Sequence, residues 1–259
     1  MASRNPLSRL YPVTLAMLLA TVLLQACMKE SETPVPPPRQ AETWLHRVNS
    51  IAKAKEFRQV YPGYELDVHF DTVSGNYYVK HDFSEPSVLT LNQWLDSLDH
   101  PEAMGLWLDF KNLSPAIAPK AFAALLLIRE TYQLTTRPVV VESSEAGALP
   151  MFDTLNFRVS YYIPWFDPSQ LTPEEEESMA LLISGRVSLN QVGTISGYLV
   201  QKDFMTTWFP GMNKLLWYLD SVDPAKVDSV VTLVREDPTV EVLLVAEDGG
   251  DNPSVETCH

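Results

Sequence analysis

Two short segments set charged side chains at alternate positions. In Tyr64-Glu65-Leu66-Asp67-Val68-His69-Phe70, an extended chain puts Glu65, Asp67 and His69 on one face and the four apolar or aromatic residues on the other. In Leu106-Trp107-Leu108-Asp109-Phe110-Lys111, Trp107, Asp109 and Lys111 share one face, and Leu106, Leu108 and Phe110 share the opposite one. If the apolar faces pack on helices, the carboxylates point inward. There they repel one another and lose hydration, which is costly unless a cation compensates. Glu65, Asp67 and Asp109 offer oxygen ligands only, which suits a hard cation such as Mg2+ or Ca2+. Lys111 adds a positive charge on the same face, suited to an anionic substrate. Two histidine-bearing segments flank these strands: His46 in WLHRVN and His81 in NYYVKHDF. Histidine titrates near neutrality and can give or take a proton. His69 is a further candidate on the inward face, whereas His100 and His259 read as structural.

The elements that must position these groups alternate. Short strands are expected near 44–48, 64–70, 106–111, 138–143, 157–163, 194–199, 214–219 and 240–246. Helical patterns fall at 50–60, 91–99, 116–133, 146–155, 172–184 and 224–236. Asp223 is the expected N-cap of the last, with Pro224 at its first position. Thr172-Pro173-Glu174-Glu175 opens another with acids that complement the helix dipole. Repeated strand–helix units imply a parallel sheet covered by helices, and eight strands over residues 43–248 predict an α/β fold, a compact (β/α)8 TIM-type barrel. An open doubly wound sheet is the alternative, but no Gly-rich phosphate loop follows the first strand.

The chain has 259 residues and is 46% hydrophobic, an ordinary globular composition. Its 19 Lys and Arg against 33 Asp and Glu give a net charge of -14, which argues against a nucleic-acid partner. Two cysteines exclude a disulfide-dense scaffold and a multi-cysteine zinc site. Arg4 and Arg9 precede an apolar run, Tyr11 to Leu24, that is short for a bilayer span and suits a signal-peptide core. Leu24-Gln25-Ala26-Cys27 resembles a bacterial lipobox, with residues 1–26 as the leader and Cys27 as the lipidated mature N-terminus. The expected location is therefore the cell envelope, with the protein lipid-anchored to a bacterial membrane, the outer membrane by expectation, and its globular domain outside the cytoplasm. Residues 27–42 include four prolines and read as a semi-extended tether. Residues 249–259 form an acidic tail with no function assigned.

The order His46-Arg47, Glu65-x-Asp67, His81-Asp82 and Asp109-x-Lys111 resembles the glycerophosphodiester phosphodiesterase-like, or phospholipase C-like, barrel superfamily. The resemblance covers roughly residues 44–220 and is most specific over 44–112. Within that superfamily HRVNS, ELDVHF, LNQWLDSL and GLWLDFKN look most similar to the menorin-type family. The usual His-Arg-Gly start reads His46-Arg47-Val48 here. The third acid is Asp109 where glycerophosphodiesterases commonly carry Glu, similar to the sphingomyelinase D branch. The resemblance implies metal-assisted cleavage of a phosphodiester, with a glycerophosphodiester or lysophospholipid-type substrate. His46 and His81 would be the acid/base pair, and the ion, Arg47 and Lys111 would hold the phosphate. Asn49 and Asp82 would orient the groups around the ion; Glu142 would either support them from behind or be a solvated rim residue, and Trp217 would either wall the pocket or belong to the core. Menorin-type proteins are also associated with extracellular adhesion, so a non-catalytic binding barrel is the alternative.

Overall fold

The structure, a computed structural model, describes residues 40–247 except 83, 85–87 and 154–156. The expected leader, Cys27, most of the tether and the acidic tail lie outside the described residues. Among the described residues, no helix is long and apolar enough to cross a membrane.

Nine strands form one sheet: β1 (Glu42–Leu45), β2 (Gly63–Asp71), β3 (Asn76–Val79), β4 (Gly105–Phe110), β5 (Val139–Ser143), β6 (Arg158–Tyr162), β7 (Thr194–Tyr198), β8 (Asn213–Tyr218) and β9 (Val240–Val245). All but β3 run parallel, and β1 pairs with both β2 and β9, so eight strands close into the expected barrel. The helices between them are α1 (Ile51–Glu56), α2 (Leu91–Asp96), α3 (Ala118–Thr131), α4 (Pro150–Asp153), α5 (Pro173–Asn190), α6 (Lys202–Trp208) and α7 (Pro224–Arg235).

Strand parity sorts the core into two layers. Leu66, Val68, Leu108, Phe110 and Val141 face outward and join a large apolar cluster with the helices. Trp44, Trp107, Val140, Leu215, Trp217 and Leu244 fill the barrel interior. The Trp44 ring needs glycine on two neighbouring strands. A Cβ on Gly63 would lie 2.2 Å from its Cδ2, and one on Gly105 would lie 2.3 Å from its Cζ2. The two strands that carry the acids therefore each begin with a glycine that lets an indole occupy the barrel floor.

Helix starts follow their capping signals. Asp223 accepts a hydrogen bond from the Ala225 amide at 3.0 Å, and Pro224 opens α7. Thr172 and Glu175 form a reciprocal capping box at the start of α5. Other boundaries moved. The helix expected over 172–184 is longer and contains Gly185. The helix runs through it to Asn190 and stops where Gln191 turns left-handed at φ 54°. The expected helix over 146–155 is a 3-10 turn at Ala146–Ala148 followed by the short α4. The first strand ends at Leu45 because Arg47 is left-handed at φ 52°. Two elements had not been anticipated, α6 and the antiparallel β3, and the second bears on the site.

Candidate active site

The acids come together because β2 and β4 are in register. Asp67 is opposite Asp109, and Asp109 is opposite Glu142 on β5, which is opposite Ser160 on β6. One carboxylate oxygen from each of Glu65, Asp67 and Asp109 lies within 4.8 Å of the others. Their ionic neighbours His46, Arg47 and Lys111 follow the C-terminal ends of β1 and β4.

The segment after β1 clamps the two acids of β2. The Arg47 amide donates to Glu65 Oε2 at 2.6 Å, and His46 Nε2 is 3.7 Å from the same oxygen. Asn49 grips Asp67 twice: its Nδ2 donates to Oδ2 at 2.6 Å, and its Oδ1 accepts from the Asp67 amide at 3.0 Å. Arg47 Nε stands 3.5 Å from Asp67 Oδ2. The left-handed turn at Arg47 thus aims one residue's amide and guanidinium at two different carboxylates. From β4, Lys111 Nζ is 2.8 Å from Asp67 Oδ1 and 2.5 Å from Asp109 Oδ2.

His81 reaches the cluster through the β2–β3 hairpin. Asp71 shapes its turn by accepting from the Val73 amide at 3.0 Å and the Ser74 amide at 3.2 Å, and Gly75 supplies φ 73°. β3 then runs back down β2 until the Lys80 amide donates to the Asp67 carbonyl at 3.0 Å. His81 follows directly, close enough for its charge to act on Asp67. Its Nδ1 is 3.0 Å from Asp82 Oδ1, and its carbonyl is 3.0 Å from His69 Nε2. His69 is therefore an inward-facing neighbour of the His81 backbone. His100 is exposed and pairs with Glu102, away from the site.

Neighbouring charges and hydrogen bonds separate the acids electrostatically. Glu65 is pushed well above the usual carboxylate range by burial and then by the charges of Asp67 and Asp109. Burial acts the same way on Asp67, but the charges of Lys111 and His81 and the bonds from Lys111 and Asn49 outweigh it and hold Asp67 below its ordinary value. The Lys111 ammonium is opposed by burial and stabilised more strongly by Asp109 and Asp67, so its pKa is raised. Glu65 Oε1 is buried without a hydrogen-bond partner. Three clustered hard oxygen donors, one of them with an unsatisfied buried atom, fit a divalent cation.

Glu142 is fully buried, which removes its reading as a solvated rim residue. Its Oε2 accepts from Trp107 Nε1 at 2.8 Å, and its Oε1 accepts from the Ser196 hydroxyl. Trp107 also packs 5.5 Å from Trp217, whose ring meets Tyr162 at 4.9 Å and Tyr198 at 5.6 Å. Trp217 thus belongs to an aromatic cluster inside the barrel. Ser160, Ser196, Tyr162 and Tyr198 were not singled out from the sequence. Extending the inward parity of β2 and β4 to RVSYY and TISGY would have found them.

Glu142 supplies a test by pH. Burial, then the Asp109 charge, raises its pKa well above the ordinary value, so the folded state binds a proton that the unfolded chain releases. Stability from this group is therefore lost as pH rises above the unfolded carboxyl pKa, up to the folded value. Glu142→Gln mimics the protonated acid. With metal chelated, its melting temperature should gain on the wild type as pH rises above the ordinary carboxyl range. A difference independent of pH would show that Glu142 is ionised in the folded protein.

No protein-family model matches the chain, and no curated protein sequence does. Solved structures do match. A glycerophosphodiester phosphodiesterase from Parabacteroides distasonis aligns with a TM-score of 0.56 at 16% identity, covering 81% of this chain and 94% of that one. A phosphodiesterase from Oleispira antarctica, in complex with the product sn-glycerol-3-phosphate, aligns with a TM-score of 0.54 at 13% identity, covering 80% and 93%. The fold of this chain is the (β/α)8 barrel that glycerophosphodiester phosphodiesterases share.

Proposed function

We propose that the chain is a divalent-metal-dependent phosphodiesterase of the cell envelope, acting on a glycerophosphodiester or lysophospholipid-type substrate. The observation that carries this reading is the gathering of Glu65, Asp67, Asp109 and Lys111 beside His46 and His81 at one barrel mouth. Glu65, Asp67 and Asp109 would hold Mg2+ or Ca2+, which supplies Lewis-acid neutralisation of charge on the phosphate oxygens. Arg47 and Lys111 bind and orient the phosphodiester. One histidine takes the proton of the attacking water or neighbouring substrate hydroxyl, and the other protonates the leaving oxygen. Asp82 orients the His81 ring, Asn49 fixes Asp67, and Glu142 sets the indole beneath. The Oleispira neighbour holds the product sn-glycerol-3-phosphate, the phosphomonoester that hydrolysis of such a glycerophosphodiester releases.

A screen of glycerophosphodiesters and lysophospholipids tests this. Turnover is expected with Mg2+ or Ca2+, abolished by a chelator and restored by the ion. Ion binding without turnover of any of these esters would point instead to a binding barrel.

We also propose that Cys27 carries a lipid that ties the barrel to the membrane, on the strength of the apolar run closed by Leu24-Gln25-Ala26-Cys27. Cys27→Ser should leave an unprocessed precursor or a released soluble protein in membrane fractionation. A variant that is still acylated would refute the anchor.

A further inference from the structure

Lys111 pairs with two of the three acids that would hold a cation. Its ammonium is 2.8 Å from Asp67 Oδ1 and 2.5 Å from Asp109 Oδ2, and so bridges one edge of the acidic cluster. The other Asp67 oxygen is taken by Asn49 at 2.6 Å, and Glu65 Oε2 by the Arg47 amide at 2.6 Å. The second Glu65 oxygen, Oε1, is buried without a hydrogen-bond partner. A divalent ion entering the cluster meets a resident positive charge on Asp67 and Asp109. The formal charges give the same picture. With a divalent ion holding all three acids ionised, the acids, Arg47, Lys111 and the ion sum to plus one, and a phosphodiester monoanion brings the site to neutrality.

We propose that Lys111 makes divalent-ion binding depend on the phosphodiester: without the anion its ammonium opposes the ion at the Asp67–Asp109 edge, and a phosphodiester oxygen draws that ammonium away. This rests on the metal site of the preceding section and adds to it a coupling between ion and substrate. The coupling is reciprocal, because two ligands that favour the same arrangement of one side chain each tighten the other. The barrel would then hold its ion firmly only when a phosphodiester is present to be cleaved.

The test reads binding rather than turnover. Mn2+ is titrated into the full-length protein by calorimetry and by electron paramagnetic resonance, with and without diethyl phosphate, a phosphodiester monoanion. Neutral triethyl phosphate is the control. Diethyl phosphate should tighten Mn2+ binding about 5- to 100-fold, and triethyl phosphate should leave it unchanged. Lys111→Gln removes the resident charge, so it should bind Mn2+ at least about tenfold more tightly than the wild type without the diester, and the diester should add little. Lys111→Arg keeps the charge and should keep the coupling. Wild-type Mn2+ affinity that is indifferent to diethyl phosphate overturns the proposal without recourse to any variant, while leaving the metal site itself intact. Unchanged or weaker Mn2+ binding by folded Lys111→Gln also overturns it. A wild-type protein that binds no Mn2+ under either condition removes both the metal site and the coupling.

Discussion

His46→Ala and His81→Ala are each expected to lower phosphodiester turnover by about 10²- to 10⁴-fold while leaving divalent-ion affinity nearly unchanged. The expectation follows from where the two rings sit. His46 Nε2 is 3.7 Å from Glu65 Oε2, beside the acidic cluster but outside its three oxygen donors. His81 enters from the β2–β3 hairpin and is braced by Asp82 at 3.0 Å. Removing either ring takes away a proton carrier and leaves the carboxylates in place. Asp82→Asn should weaken activity less than His81→Ala, because Asp82 acts through the ring it orients. Calorimetric ion titration beside a turnover assay checks both halves. Full activity in both histidine variants would refute the acid/base assignment. A parallel collapse of ion affinity would mean that the histidines are ligands instead.

The parts of this site that could be read from the sequence are those set by strand parity. The alternation in ELDVHF and LWLDFK determined which side chains turn inward, and in-register pairing of Asp67 with Asp109 brought them together. His81 was legible as a candidate, but its route was not. NYYV is only four residues long, and its pairing depends on the Asp71–Gly75 turn folding it back along β2. Tyr77 then packs 5.0 Å from Phe70 and 5.3 Å from Phe110, a tertiary reward that no local pattern announces.

Glu142 illustrates the same limit from the other side. At the end of PVVVES it reads equally as a rim residue or as a supporting acid. Its burial is decided across the barrel, by Trp107 on β4 and Ser196 on β7. The helices α5 and α6 erred in opposite directions. Gly185 costs only helix propensity at a position with open space around it, so α5 runs on past 184, while KDFMTTW lacks a long apolar period and is held by burying Phe204 and Met205. Local signals located the elements; contacts between distant strands set the functional environment of the side chains.

Asp109→Asn should separate ion binding from proton transfer. Asp109 is one of three carboxylates whose oxygens lie within 4.8 Å, and the substitution removes a full negative charge from that set without changing side-chain volume. Replacing groups that merely orient metal ligands commonly costs 10- to 100-fold in affinity, so loss of a direct ligand is expected to cost at least about 100-fold for Mg2+ or Ca2+. The barrel should stay folded. Lys111 loses a partner at 2.5 Å but keeps Asp67 at 2.8 Å, and Asn49 still holds Asp67 from the opposite side at 2.6 Å. Because the defect is one of occupancy, excess ion should restore part of the turnover in Asp109→Asn, whereas the same excess should do nothing for His46→Ala or His81→Ala. Circular dichroism melting establishes that the variant is folded, and calorimetry gives the affinity. Wild-type ion affinity in folded Asp109→Asn would remove Asp109 from the metal site and leave Glu65 and Asp67 as a pair too small to fix a hard cation without water or substrate oxygens.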